Sequence, residues 1–62
     1  MTVEQFNGTV KVGDTIVYKN DFGEEVEDVV KYEASELGSG TPVMWIEGMR
    51  GCYDLQRFVR KV

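Results

Sequence analysis

How Glu24-Glu25-Val26-Glu27-Asp28-Val29-Val30-Lys31-Tyr32-Glu33-Ala34-Ser35-Glu36-Leu37 is read decides the fold of this 62-residue chain. From Glu25 to Glu33 the residues alternate in the manner of a half-buried strand. Val26, Val30 and Tyr32 share one face, and Glu25, Glu27, Lys31 and Glu33 share the other. Val29 breaks the pattern on the polar face and Asp28 breaks it on the apolar face. A β-bulge reconciles both, because one extra residue re-phases everything after it. The competing reading is a helix, since Val26, Val29, Val30, Glu33 and Leu37 also fall at helical spacing. Three valines within five residues disfavour that helix, and no clear cap stands before them. The stretch is read as a strand.

Working outward, Thr15-Ile16-Val17-Tyr18-Lys19 is β-branched and aromatic, and Asn20-Asp21-Phe22-Gly23 supplies a turn after it. Asn7-Gly8 and Gly13-Asp14 are also turn signals, so residues 1–9 are expected to form a loose lead-in. On the other side, Ala34–Leu37 is expected to close one helical turn before the Gly38-Ser39-Gly40 loop. Val43-Met44-Trp45-Ile46-Glu47 is the most hydrophobic run and the candidate central strand. Gly48-Met49-Arg50-Gly51 then makes a tight connection into a strand beginning at Cys52-Tyr53. Asp54 is a candidate cap for a short 3-10 turn through Phe58, and Val59–Val62 alternates as a last strand. The expected core is Ile16, Tyr18, Val26, Val30, Tyr32, Val43, Trp45, Leu55, Phe58 and Val62.

Five short strands with glycines at the corners predict an all-β fold, a single small domain over residues 1–62. The expected form is a five-stranded antiparallel barrel with the 3-10 turn before its last strand. Closure matters at this size, because a domain of about 60 residues buries only about 60% of its unfolded surface and exposed edges invite aggregation. The chain is 42% hydrophobic and 29% charged with one proline, which sets it apart from disordered sequences. No apolar run approaches the ~20 residues of a membrane-spanning helix, and the opening residues do not read as a secretory signal. The single cysteine excludes an internal disulfide and a thiolate zinc site, and the lack of histidine removes imidazole chemistry. No catalytic residue, metal or cofactor is expected, and Cys52 reads as a small buried hydrophobe in a reducing, cytoplasmic setting.

Gly13-Asp14-Thr15-Ile16-Val17-Tyr18 resembles the opening strand of SH3-like small barrels, the group that includes Tudor and KOW modules. Gly51-Cys52-Tyr53-Asp54-Leu55-Gln56-Arg57-Phe58-Val59-Arg60-Lys61-Val62 looks like the tail of small phage-encoded SH3-like proteins. There a strand, a one-turn helix and an Arg-Phe pair lead into a closing strand. The resemblance covers roughly residues 10–62. The chain departs from larger versions in its long acidic second strand and its Gly-Ser loop. It also lacks a proline-recognition signature and a clear methyl-lysine cage. The resemblance implies the barrel architecture and a binding role, that of a phage accessory factor acting on a host protein; fold likeness alone fixes no ligand.

Charge divides the chain. Seven bases against eleven acids give a net charge of −4, and residues 14–36 hold eight of those acids with two bases. This balance disfavours counterion-driven nucleic-acid binding and anionic membrane surfaces, and points to a protein partner. Glu25 and Glu27 are the expected steering residues for a basic partner. Met49 and Arg50 are expected to project from a loop tip as contacts. The alternative is nucleic-acid binding through Arg50, Arg57, Arg60 and Lys61, with Tyr53 and Phe58 nearby for stacking. Gly48–Gly51 also matches a Gly-x-x-Gly backbone clamp, but lies between strands rather than helices. The acids from Asp21 to Asp28 lack the ordered spacing of a calcium loop and read as a solvated strand face. Self-association through an exposed strand edge is a third reading.

Overall fold

The computed structural model describes the whole chain, Met1–Val62. Its organising element is a strand of twelve residues, β2 (Glu25–Glu36), which uses its two edges in succession. The first half pairs antiparallel with β1 (Thr15–Lys19), from Lys19 opposite Glu25 to Thr15 opposite Val29. The second half pairs with β3 (Pro42–Ile46), from Val30 opposite Ile46 to Glu36 opposite Pro42. A two-residue β4 (Tyr53–Asp54) adds to β3, and β5 (Phe58–Lys61) adds to the free side of β1. The result is an all-β fold: one antiparallel sheet in the order β4-β3-β2-β1-β5, with one short helix. The 3-10 turn Leu55–Arg57 joins the two outermost strands directly, as expected, with Asp54 accepting the Gln56 N–H at 2.9 Å. No ladder pairs β4 with β5, so the sheet is not closed by hydrogen bonds.

The strand reading of the valine-rich stretch is correct, and its bulges lie further along than expected. Pairing with β1 runs without interruption through Asp28 to Val29. The register with β3 instead slips between Val30 and Tyr32 and again between Tyr32 and Ser35. Asp28 therefore stays on the inner face, and its carboxylate makes that tolerable. Its two oxygens accept the Val29 N–H at 2.7 Å and the Gly48 N–H at 3.0 Å. The strand also runs straight through Ala34–Glu36, where a helical turn was expected. Pairing of Ser35 with Val43 and of Glu36 with Pro42 holds it extended.

Residues 1–9 are not a loose lead-in. Val3–Thr9 form an α-helix, α1, opened by a reciprocal cap. The Gln5 N–H donates to Thr2 Oγ1 at 3.1 Å, and the Thr2 N–H donates to Gln5 Oε1 at 2.8 Å. Seven residues are too few to be helical alone, and Gly8 costs about 1 kcal/mol relative to alanine. Two tertiary contacts supply the difference. Phe6 is completely buried and meets Phe58 edge-on at 5.1 Å. Asn7 behaves as a substitute strand residue: its Nδ2 donates to the Ala34 carbonyl at 3.0 Å and its Oδ1 accepts the Ala34 N–H at 2.9 Å. That edge of β2 has no other strand beside it, because β1 ends its pairing at Val29.

The core consists of Phe6, Val10, Ile16, Tyr18, Val30, Ala34, Met44, Ile46 and Leu55, with Val3, Met49, Tyr53 and Phe58 packed against it. Val26, Tyr32 and Val62 were expected inside and are exposed. Val26 sits next to the β1–β2 turn and Val62 follows the last strand, both past the core's ends. Tyr32 is turned outward by the bulge, and Trp45 opposite it is only half-buried. The interior of β3 is carried by Met44 and Ile46 instead, both at 0% exposure. Phe6→Ala is accordingly expected to cost about 3–5 kcal/mol in urea unfolding. Trp45→Ala, at a half-exposed site, should cost clearly less; the reverse ranking would contradict this core.

Candidate functional site

The β1–β2 turn carries the most exposed large hydrophobic side chain, Phe22 at 87%. The backbone beneath it is tightly built. Asn20 Oδ1 accepts the N–H groups of Phe22 at 2.9 Å and Glu24 at 3.0 Å. The Gly23 N–H donates to the Asn20 carbonyl, and Gly23 adopts a φ of 78°, open to glycine without strain. One flank is fixed by Arg57, whose Nη1 pairs with Asp21 Oδ1 at 3.0 Å. The same guanidinium lies 5.3 Å from the Tyr53 ring centre, and Tyr53 rests against Tyr18 at 5.1 Å. Burial, then the neighbouring Tyr53 and Asp28, push the Tyr18 phenol upward, so it remains protonated in neutral solution.

Leaving this turn, Glu25 and Glu27 are exposed and stand opposite Lys19 and Val17 of β1. They point away from the face that carries Asp28. Val17 itself is buried between Glu27 on one side and Arg60 of β5 on the other. Farther along β2 the outer face becomes aromatic. Tyr32 and Trp45 are cross-strand partners with ring centres 6.2 Å apart, and the indole N–H donates to Ser35 Oγ at 3.3 Å.

The other expected contact residues are divided between surfaces. Met49 does not project: it is half-buried against the core, while Arg50 beside it is exposed. Their loop is drawn toward the inner face of β2 by the Asp28–Gly48 hydrogen bond, away from the outward Glu25 and Glu27. The basic set is likewise dispersed. Arg57 is engaged with Asp21 near the hairpin turn, and Lys61 Nζ pairs with Asp14 at 3.2 Å at the opposite end of β1. Neither pairs with the acidic strand. Arg60 and Arg50 make no ion pair. Cys52 is a half-buried free thiol, and no three His, Cys, Asp or Glu side chains converge on a common point. A shallow cleft of about 350 Å³ lies at the helix start, lined by Met1, Thr2, Val3, Glu4, Glu36 and Pro42. No helix is long and apolar enough to cross a membrane.

Sequence reasoning treated Phe22 as turn filler. The only signal was a large aromatic between Asp21 and Gly23, and a single exposed hydrophobic side chain is ordinary on a protein surface. Comparison with known proteins adds no relative: no family model, curated protein or solved structure matches the chain.

Two changes test the framework that positions this surface. A side chain at Gly48 would displace the Asp28 carboxylate, so Gly48→Ala should lower stability by about 0.5–1.5 kcal/mol by breaking the Asp28 link. Asp28→Ala should remove most of that penalty from the double variant, as a double-mutant cycle in urea would reveal. The second test uses pH. The Lys11 N–H, at 2.8 Å, and then Lys61 hold the Asp14 carboxyl below its ordinary value. A depressed folded pKa contributes stability above the unfolded value of about 3.9 and loses it as pH falls through the folded one. The stability gap between wild type and Asp14→Asn should therefore be full at pH 7 and shrink below about pH 4. A gap unchanged at pH 2 would contradict the pairing.

Proposed function

We infer that the chain is a non-enzymatic protein-binding module built as an SH3-like small barrel. Its two outer strands are brought together by the Leu55–Arg57 turn rather than by a ladder. The role that fits is that of a phage accessory factor binding a host protein in the cytoplasm. The observation that carries this reading is Phe22, almost fully exposed at the end of a turn held by Asn20. A solvent-facing aromatic on a rigid backbone loses little entropy on docking and suits the centre of an interface. Glu25 and Glu27 follow it on the outer face and favour a partner whose pocket for Phe22 has a basic rim. Arg50, on its separate loop, is a peripheral contact, and Met49 acts by holding that loop against the core.

Nucleic-acid binding through Arg50, Arg57, Arg60 and Lys61 is the weaker reading, since two of the four cations already have carboxylate partners. The test is affinity capture from host lysate followed by mass spectrometry, beside a gel shift at low salt. The expected result is one protein retained by the wild type, released by salt, and lost with Phe22→Ser combined with Glu25→Lys and Glu27→Lys. Equal retention by that variant would reject this surface. A gel shift abolished by Arg57→Ala and Lys61→Ala would favour the nucleic-acid reading instead.

A further inference from the structure

The second half of β2 builds a different surface from the hairpin, and a bulge is the reason. In a regular strand Lys31 and Tyr32 would point to opposite faces. The register slip between Val30 and Tyr32 breaks that alternation. Lys31 Nζ consequently lies 5.3 Å from the centre of the Tyr32 ring. Tyr32 is 56% exposed and Trp45 stands across from it, the rings inclined at 68°. The indole N–H is already satisfied by Ser35, so Trp45 needs no polar ligand and offers its π-surface. In the chain Glu33 follows Tyr32, and Glu47 lies two residues beyond Trp45 with its backbone N–H bonded to the Val29 carbonyl. Both carboxylates are exposed, and residues 14–36 carry eight acids against two bases.

The geometry points to the Tyr32–Trp45 corner as a binding site for an arginine side chain in a basic segment of a protein partner. The internal Lys31 ammonium already occupies part of it, as a cation attracted to the negative face of the phenol ring. A guanidinium competes with that ammonium for the ring face better than a second ammonium would. It is planar, stacks on an aromatic ring, sheds water more readily, and keeps its N–H groups free for hydrogen bonds while it stacks. This site lies on the aromatic half of β2 and does not depend on the role assigned to Phe22.

Trp45 is the only tryptophan, which gives the test a built-in reporter. Acetylated tetra-arginine amide, tetra-lysine amide and tetra-glutamine amide are titrated at low salt. Trp45 fluorescence and the indole N–H cross-peak in a nitrogen–proton NMR spectrum are followed. Tetra-arginine is expected to shift the indole and the Lys31–Glu33 amides saturably, tetra-lysine to bind several-fold more weakly, and tetra-glutamine not to bind. Tyr32→Leu keeps the charge and removes the ring, at an exposed position where the fold should survive. It should weaken tetra-arginine by about two- to fivefold and erase the preference over tetra-lysine. Phe22→Ser should bind tetra-arginine as the wild type does. Equal affinity for the two basic peptides, indifference to Tyr32→Leu, or loss of binding in Phe22→Ser would each overturn the assignment.

Discussion

A strand twelve residues long has two backbone edges to satisfy, and β2 satisfies them against four different neighbours. Its first half bonds to β1, while its second half bonds to β3. That leaves a stretch of free edge where β1 has ended. The Asp14 carbonyl accepts the Val30 N–H at 2.9 Å, and the Gly13 N–H donates to the Val30 carbonyl at 2.9 Å. The Asn7 carboxamide then takes both backbone groups of Ala34. Buried backbone groups left without partners are costly, so this sequence of replacements is what allows one strand to serve both halves of the sheet. The helix, the bend and the aromatic corner all follow from it.

The division between the legible and the illegible parts of the fold is physical. Turn chemistry and alternation act locally, so the Asn20–Gly23 turn, the extended valine stretch and the Asp54-capped 3-10 turn were readable from neighbouring residues. Bulge position depends on what lies across the strand. Asp28 suggested a bulge at itself, but Gly48, twenty positions away in the chain, removes the need for one. The actual slips fall between Val30 and Ser35, where Tyr32 turns outward and Trp45 is left half-buried. The N-terminal helix was signalled by Thr2-x-x-Gln5, a capping-box pattern. The Asn7-Gly8 turn signal masked it, because Asn7 spends its hydrogen-bonding capacity on β2 rather than on a local turn.

The candidate surface shows the same limits. Glu25 and Glu27 lie outward as alternation requires. Met49 and Arg50, by contrast, follow each other in sequence yet one packs on the core and the other is exposed. The loop's close approach to Asp28 decides this, and it is a tertiary fact. The cations of the C-terminal segment look like a cluster in sequence. Spread along β5 and its preceding turn, they reach opposite ends of β1, where Asp21 and Asp14 engage two of them. Exposed pairs of this kind stabilise by only about 0–1 kcal/mol, but they do remove charge from a would-be phosphate surface. What remains outward on β2 is acidic at one end and aromatic at the other.

The most direct test of this architecture is native-state hydrogen exchange at Ala34. No strand lies beside that amide, and the Asn7 side chain is its hydrogen-bond partner. The account predicts that the Ala34 N–H exchanges on the slow timescale of the β1–β2 ladder amides, and that Asn7→Ala brings it to the rate of an exposed turn. Rapid exchange in the wild type, with the ladder amides still protected, would contradict it. It would mean that the helix does not close the edge of β2.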